Sequence, residues 1–397
     1  MDSLTQITLG AAVGELVLGK KIGNRALLWG AVAGTIPDLD VLTSPFVSEI
    51  QALAYHRGFS HSIIFSALFA FIIAWCVERI YQLRHHKYIA SLLWFSFPIG
   101  VWYFLNRFEV GFSAPLGLTL AISTIGLLYF RYFRNEILKP DASYTEWAKL
   151  FFAGLITHPI LDCFTTYGTQ FFQPFSSYRV AFNTISVADP LYTVPFLLCI
   201  IIVSFLRRNN NWRRRLTLIG LGISSCYMIL CLYHKQQVHN VLIDSLQKED
   251  ISYNRIMTSP TILNNILWYC LAETDEGYYS GLYSLWDKEK VVDLTYTPRN
   301  EKLLNLNDSE DNTINTLKWF SNDYYCITEK KDGLLQFNDM RFGKFDESTE
   351  SNSYIFNFPI KRNEYGSYEL TKVNGGPPPR DREKALKNLW ERLSRNN

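Results

Sequence analysis

The seven cysteines include no Cys-x-x-Cys pair, so a cysteine zinc framework is excluded. Cys76, Cys163, Cys199, Cys226 and Cys231 lie in or beside apolar runs, where cysteine behaves as a small hydrophobe. Only Cys270 and Cys326 fall in polar sequence. An excess of charge of one sign is also missing. Lys+Arg number 39 and Asp+Glu 37, which leaves no basic surplus for wholesale nucleic-acid binding. No positive charge precedes the first apolar stretch, MDSLTQITLGAAVGELVLGKK: Asp2 comes before it and Lys20 and Lys21 after it. A secretory signal has the opposite order. The chain shows no internal repeat.

What the chain has is apolar length. Up to about Tyr233 it is strongly apolar, and beyond that it turns polar, aromatic and rich in Asn, Asp, Lys and Glu. The expected fold is an all-α polytopic membrane domain over 1–233, with about eight apolar segments. A smaller, mainly β soluble domain follows over 234–397. The segments are Leu4–Leu18, Ala26–Ile36, Ser62–Val77, Tyr88–Leu105, Ala114–Phe130, Trp147–Leu161, Pro190–Leu206 and Leu216–Tyr233. The first two are short for a span of about 20 residues. Their Gly and Ala content suits close helix packing, so they read as a buried hairpin.

Basic loops fall at 20–25, 78–87, 131–139 and 207–215, and the loops between them carry few such clusters. If each basic loop is cytoplasmic, all segments alternate without conflict. The N-terminus and everything after Tyr233 then lie outside. In the polar part, 277–286, 323–330 and 353–360 alternate in the strand manner, and Lys331-Asp332-Gly333 is a turn signal. Arg380–Arg395 has helical spacing and follows the linker GGPPPR. An outside position would permit a Cys270–Cys326 disulfide.

Ionisable residues at the edges of apolar segments are costly unless paired or bound. Three such groups occur: Asp38 and Asp40 in TIPDLD, His56 and His61 in HRGFSHS, and His158 and Asp162 in THPILD. The charge pattern puts all three on one membrane face, level with Asp2 and Gln6. His nitrogen with Asp oxygen suits zinc or a similar divalent ion. His158 and Asp162, at i and i+4, share one helix face, with Pro159 between them distorting the helix locally. Gly58 supplies the bend that would let His56 and His61 meet. Taken singly, the three motifs have plainer readings: a helix cap at Ser60 or Ser62, a turn at PDLD, a buried His–Asp hydrogen bond. Taken jointly on one face, they read as a metal site for one or two ions. His85 and His86 fall in a loop on the opposite face, and His234 and His239 show no partner spacing.

The stretches MDSLTQITLGAAVG, GTIPDLD, HRGFSHS, THPILDCFTTYGTQFFQPFS and ISVADPLYTVP together resemble the YdjM-like family of bacterial membrane-bound, metal-dependent hydrolases. The resemblance spans about Met1 to Pro195. It implies a helical protein of the bacterial inner membrane whose metal ligands map onto Asp38, Asp40, His56, His61, His158 and Asp162. A fainter likeness to zinc-dependent phospholipase C points to phosphoester hydrolysis. The chain departs from the family at Gln6, where many members carry His, a better zinc ligand than an amide oxygen.

The expectation is an outward-facing, metal-dependent hydrolase of a lipid or envelope ester or phosphoester. Metal-activated water would attack, with Asp38 and Asp162 as the candidate catalytic carboxylates. Gln6, Arg57, Thr165, Tyr167, Arg179 and Asp189 are candidate substrate contacts, Arg57 and Arg179 for an anionic group. The competing expectation is a non-catalytic membrane protein whose polar cluster is structural or ion-conducting, with an outer domain that binds a partner.

Overall fold

The computed structural model describes residues 1–83, 140–304, 311–330, 333–344, 354–364, 366–371 and 387–393. The expected segments Tyr88–Leu105 and Ala114–Phe130, His85, His86, the basic loop 131–139 and the GGPPPR linker lie outside the described residues.

Helix α1 (Ser3–Ile22) starts at Asp2, whose carboxylate accepts the Thr5 amide at 3.1 Å, and ends on Lys20 and Lys21. Both ends suit the helix dipole and its unpaired amides. Helix α2 (Asn24–Thr35) folds straight back along it. Glycine lets the two backbones touch. A Cβ on Gly14 would lie 2.1 Å from the Ala26 carbonyl oxygen, and one on Gly30 2.2 Å from that of Gly10. The expected small-residue hairpin is therefore present, held by backbone-to-backbone packing.

After α2 the chain tightens into a 3₁₀ helix, Ile36–Phe46, which carries Asp38 and Asp40. Helix α3 (Glu49–Tyr55) follows, opened by a capping box between Ser48 and Gln51. Helix α4 (Ile63–Gln82) is capped by Ser62, whose Oγ accepts the Phe65 amide at 3.0 Å. Helix α5 (Tyr144–Asp162) begins with a Ser143–Glu146 capping box and ends with His158 and Asp162. Helix α6 (Pro190–Phe205) begins at Asp189, with Pro190 at its first position.

Helix α7 (Trp212–Lys248) has 37 residues. At 1.5 Å per residue it is about 55 Å long, against a hydrocarbon core of about 30 Å. It continues well past Tyr233 because Val238, Val241, Leu242 and Leu246 form a buried helical stripe against the β part.

Three helical segments among the described residues are long and apolar enough to cross a membrane: Asn24–Phe46, Ile63–Gln82 and Trp212–Lys248; α6 is apolar but shorter. The count of about eight is not matched by these residues. Two of the expected segments lie outside the description. α1 and α5, though 20 and 19 residues long, bury many small or polar side chains against their neighbours.

The described basic loops meet at one end of the bundle. Arg208 donates to the Lys21 carbonyl at 2.8 Å, Lys21 pairs with Glu146 at 2.6 Å, and Arg25 lies over Tyr81 at 6.0 Å. A buried pair, Arg213–Glu15 at 2.6 Å, ties α7 to α1 just inside that end.

The C-terminal part is mainly β. Strands β1 (Arg255–Pro260), β2 (Leu267–Glu273), β3 (Gly277–Ser284) and β4 (Thr295–Pro298) form one antiparallel sheet in chain order. Strands β5 (Tyr325–Glu329), β6 (Leu335–Lys344), β7 (Tyr354–Arg362) and β8 (Tyr368–Leu370) form a second. Helix α8 (Asn312–Phe320) buries Ile314, Leu317 and Phe320 against the second sheet. Of the expected C-terminal helix, the described residues 387–393 are helical. No disulfide joins Cys270 and Cys326: both thiols are free and buried, in different sheets and different core clusters.

Candidate metal centre

At the end of the bundle opposite the basic loops, four side chains converge. Asp38 comes from the 3₁₀ helix, His61 from a single 3₁₀ turn (Phe59–His61) before α4, and His158 and Asp162 from the last turns of α5. His61 Nε2 lies 3.2 Å from His158 Nε2, 3.5 Å from Asp38 Oδ1 and 3.4 Å from Asp162 Oδ2. His158 Nε2 lies 3.3 Å from Asp38 Oδ1 and 3.4 Å from Asp162 Oδ2. A tetrahedron with metal–ligand bonds of about 2.0–2.1 Å has edges of about 3.3–3.4 Å. The five edges above match that size.

The hydrogen bonds around the cluster fix which nitrogens face it. His158 Nδ1 donates to the Gly34 carbonyl at 2.6 Å, which leaves the lone pair on Nε2. His61 Nδ1 lies 3.0 Å from Ser60 Oγ, and Ser60 donates onward to Asp40 Oδ2 at 3.3 Å. His61 Nε2 is thereby left free as well. The two imidazole Nε2 atoms thus lie 3.2 Å apart, and each faces one oxygen of Asp38 and one of Asp162 at 3.3–3.5 Å. Among the described residues, no hydrogen bond reaches the buried Asp162 Oδ2. Such a crowd of acceptors fits a cation between them, and the residues present fit a divalent metal.

Asp40 and His56 stand outside these four. Asp40 sits behind His61: its Oδ2 is 3.5 Å from His61 Nδ1 and accepts the Arg57 amide at 2.9 Å, while its Oδ1 is 3.1 Å from His56 Nδ1. A carboxylate behind a ligating histidine orients the ring and raises its basicity. The bend between His56 and His61 is shared between two residues. Arg57 takes a left-handed φ of 56°, and a Cβ on Gly58 would lie 2.7 Å from the Tyr55 carbonyl oxygen. Ser62 is the cap of α4, and Ser60 belongs to the His61–Asp40 chain.

Gln6 donates to Asp162 Oδ1 at 3.0 Å and to the His158 carbonyl at 3.3 Å; the Met1 amino group also contacts Asp162 Oδ1. Gln6 therefore holds a member of the cluster in place, a contact that its spacing in the sequence does not reveal. Arg57 Nε lies 3.3 Å from Asp162 Oδ2, and its Nη1 donates to Thr165 Oγ1 at 2.8 Å. Thr165 in turn donates to the Asp162 carbonyl at 2.7 Å.

Tyr167 lies between two guanidiniums, with Arg57 4.9 Å and Arg179 4.8 Å from its ring. Arg179 faces away from the cluster. It lies over Trp319 and Phe320 and donates to the Tyr167 carbonyl at 2.7 Å, and burial lowers its pKa to about 10. Asp189 caps α6 and accepts the Tyr227 hydroxyl at 3.0 Å, and burial raises its pKa. Among the described residues, it makes no hydrogen bond or ion pair with the four.

Fold and cluster together define a helical membrane protein with a possible His/Asp metal-binding cluster and a β-sheet C-terminal part. The chain belongs to the YdjM inner membrane protein family, whose sequence profile matches residues 1–238. It is also similar to the uncharacterized protein YfhP of Bacillus subtilis (strain 168), at 25% identity over 296 residues, covering 71% of this chain and 68% of that one. No solved structure matches. The family match ends inside α7, so the sheets lie beyond it.

Proposed function

We propose that this protein is a multi-pass metal-dependent hydrolase of the bacterial inner membrane. In this reading about eight apolar segments cross or enter the bilayer, and the cluster and the β part face outward. The substrate is an ester or phosphoester of a lipid or envelope component. The observation that carries the reading is the uneven burial of the cluster: the side chains of His61, His158 and Asp162 are sealed, whereas that of Asp38 is 23% exposed. A single open edge is what a hydrolytic site needs for substrate to enter. The 3₁₀ helix that carries Asp38 also exposes Leu39, Val41, Leu42 and Phe46, the last at 86%, an apolar rim suited to a lipid substrate.

Zinc or a similar ion bound here would supply a Lewis acid and an activated water. His61, His158 and Asp162 hold the site, with Asp40, the Gly34 carbonyl and Gln6 fixing their orientation. Asp38 at the open edge accepts the proton of the attacking water. Arg57 places its guanidinium beside Asp162 at 3.3 Å and packs against the Tyr167 ring.

One observation favours a non-catalytic reading. Four side chains converge, enough to fill a tetrahedral ion with no open position, and closed tetrahedral sites are structural. The two readings separate in one experiment. Purified protein is loaded with zinc or manganese and assayed on nitrophenyl esters, bis-nitrophenyl phosphate and extracted membrane lipid. Turnover that vanishes in Asp38→Asn while bound metal persists supports hydrolysis. Metal retention with no turnover on any substrate supports the structural reading, and failure to bind metal at micromolar concentration sinks both.

A further inference from the structure

The two sheets face each other but touch only over part of their length. At one end Met257, Leu271, Tyr278, Cys326, Met340 and Tyr354 close into a core. Elsewhere the sheets part around a cavity of about 600 Å³. Its walls follow the strand alternation. On the first sheet Tyr269 stands opposite Leu282, and Ser280 shares the face of Leu282. On the second, Met340, Phe342 and Phe356 line it. A space of this size falls in the range of small-ligand pockets, about 300–1,000 Å³, and protein interiors otherwise close up to crystal-like density.

Two further features say what would fill it. Val187 and Ile262 line the cavity and are also solvent-exposed, and Val187 lies three residues before the apolar helix α6. The next residue to Ile262, Leu263, is exposed too, and its amide donates to the Ala188 carbonyl at 3.1 Å. The apolar lining is thus continuous with an apolar surface at the very end of the apolar helix α6. The cavity also holds a cation, Lys344, whose ammonium lies 5.1 Å from the Tyr354 ring. Asp293 lines the cavity as well, and Arg392 lines it while pairing with Asp287 at 2.6 Å.

We infer that the gap between the sheets binds one long acyl chain bearing an anionic head group, drawn in past Val187 and Ile262 with the head near Lys344. Two sources carry that chemistry, a free fatty acid and an anionic phospholipid. The inference does not depend on turnover at the metal centre.

The test uses full-length protein in phosphatidylcholine nanodiscs, photolabelled with palmitate carrying a chain diazirine and mapped by peptide mass spectrometry. Label is expected in peptides spanning 280–282 and 340–344. An excess of unlabelled palmitate or of phosphatidylglycerol should remove it, and the more effective competitor identifies the source. Leu282→Trp, which fills the cavity, should cut label there by about fivefold or more, with an unchanged thermal unfolding transition of the solubilised protein as the check that the variant folds. If that variant does not fold, competition on the wild-type protein decides alone. Label confined to 63–82, 190–205 and 212–248, or cavity label that neither competitor removes, would overturn the inference.

Discussion

His158 shows at the scale of one residue why the cluster suits a cation. Its Nδ1 proton is committed to the Gly34 carbonyl, so Nε2 faces His61, Asp38 and Asp162 as an acceptor. Replacing it leaves three candidate ligands, Asp38, His61 and Asp162. His158→Ala should therefore lower bound zinc at least about tenfold in a chelator competition. Asp40→Asn tests the supporting chain separately. The carboxylate behind His61 is lost while the four facing atoms stay, and affinity should fall about 10–100-fold without abolishing binding. An unchanged affinity would show that Asp40 does not act through His61.

The sequence alone reveals the ionisable residues at apolar edges, and the positive-inside pattern puts them on one face. It does not separate Asp38 from Asp40, or His61 from His56. Which member of each pair turns inward depends on a 3₁₀ turn and on the left-handed φ of Arg57, neither of which has a strong local signal.

At the scale of elements, the α1–α2 hairpin positions Gln6 and delivers Asp38. Its contact is backbone against backbone, so a single methyl has no side chain to displace. Gly30→Ala would place a Cβ 2.2 Å from the Gly10 carbonyl oxygen and 2.8 Å from the Gly14 Cα. The helices must part, at a cost of about 1–3 kcal/mol. Unfolding of the detergent-solubilised variant should show that loss, whereas Gly222→Ala, with nothing within 4 Å of the added carbon, serves as the control. The hairpin is readable because Gly and Ala dominate both segments. The reach of α7 is less so: the stripe Val238, Val241, Leu242, Leu246 is helical in spacing, but it is set in a polar sequence that masks it. The pairing of the eight described strands into two separate sheets is set by long-range packing, and the alternation of single strands does not fix it.

For the whole molecule the decisive question is which way the bundle points, and the structure makes the answer depend on very little. Helix α1 runs from the cluster to Lys20 and α2 returns; α4 runs away from the cluster and α5 returns with Lys21 paired to Glu146 at its start; α6 runs away again and α7 comes back from Arg213. The cluster and the sheets thus share one end, and Lys20, Lys21, Arg207, Arg208, Arg214 and Arg215 mark the other. Tyr167 is one of the contacts between that end and the C-terminal part: it meets His56 at 5.2 Å on one side and Phe320 of α8 at 5.3 Å on the other. In the proposed multi-pass arrangement, placing either end in the cytoplasm fixes the side of the other. Positive charge favours the cytoplasmic side, at about 1 kcal/mol per residue near an anionic leaflet, so the cluster and sheets are expected outside. Lys290 and Arg214 are both exposed, at opposite ends. In intact cells, Lys290→Cys should react with a membrane-impermeant maleimide and Arg214→Cys should react only after permeabilisation. The reverse pattern would put the metal centre in the cytoplasm, and the outward-facing part of the proposed function would fall with it.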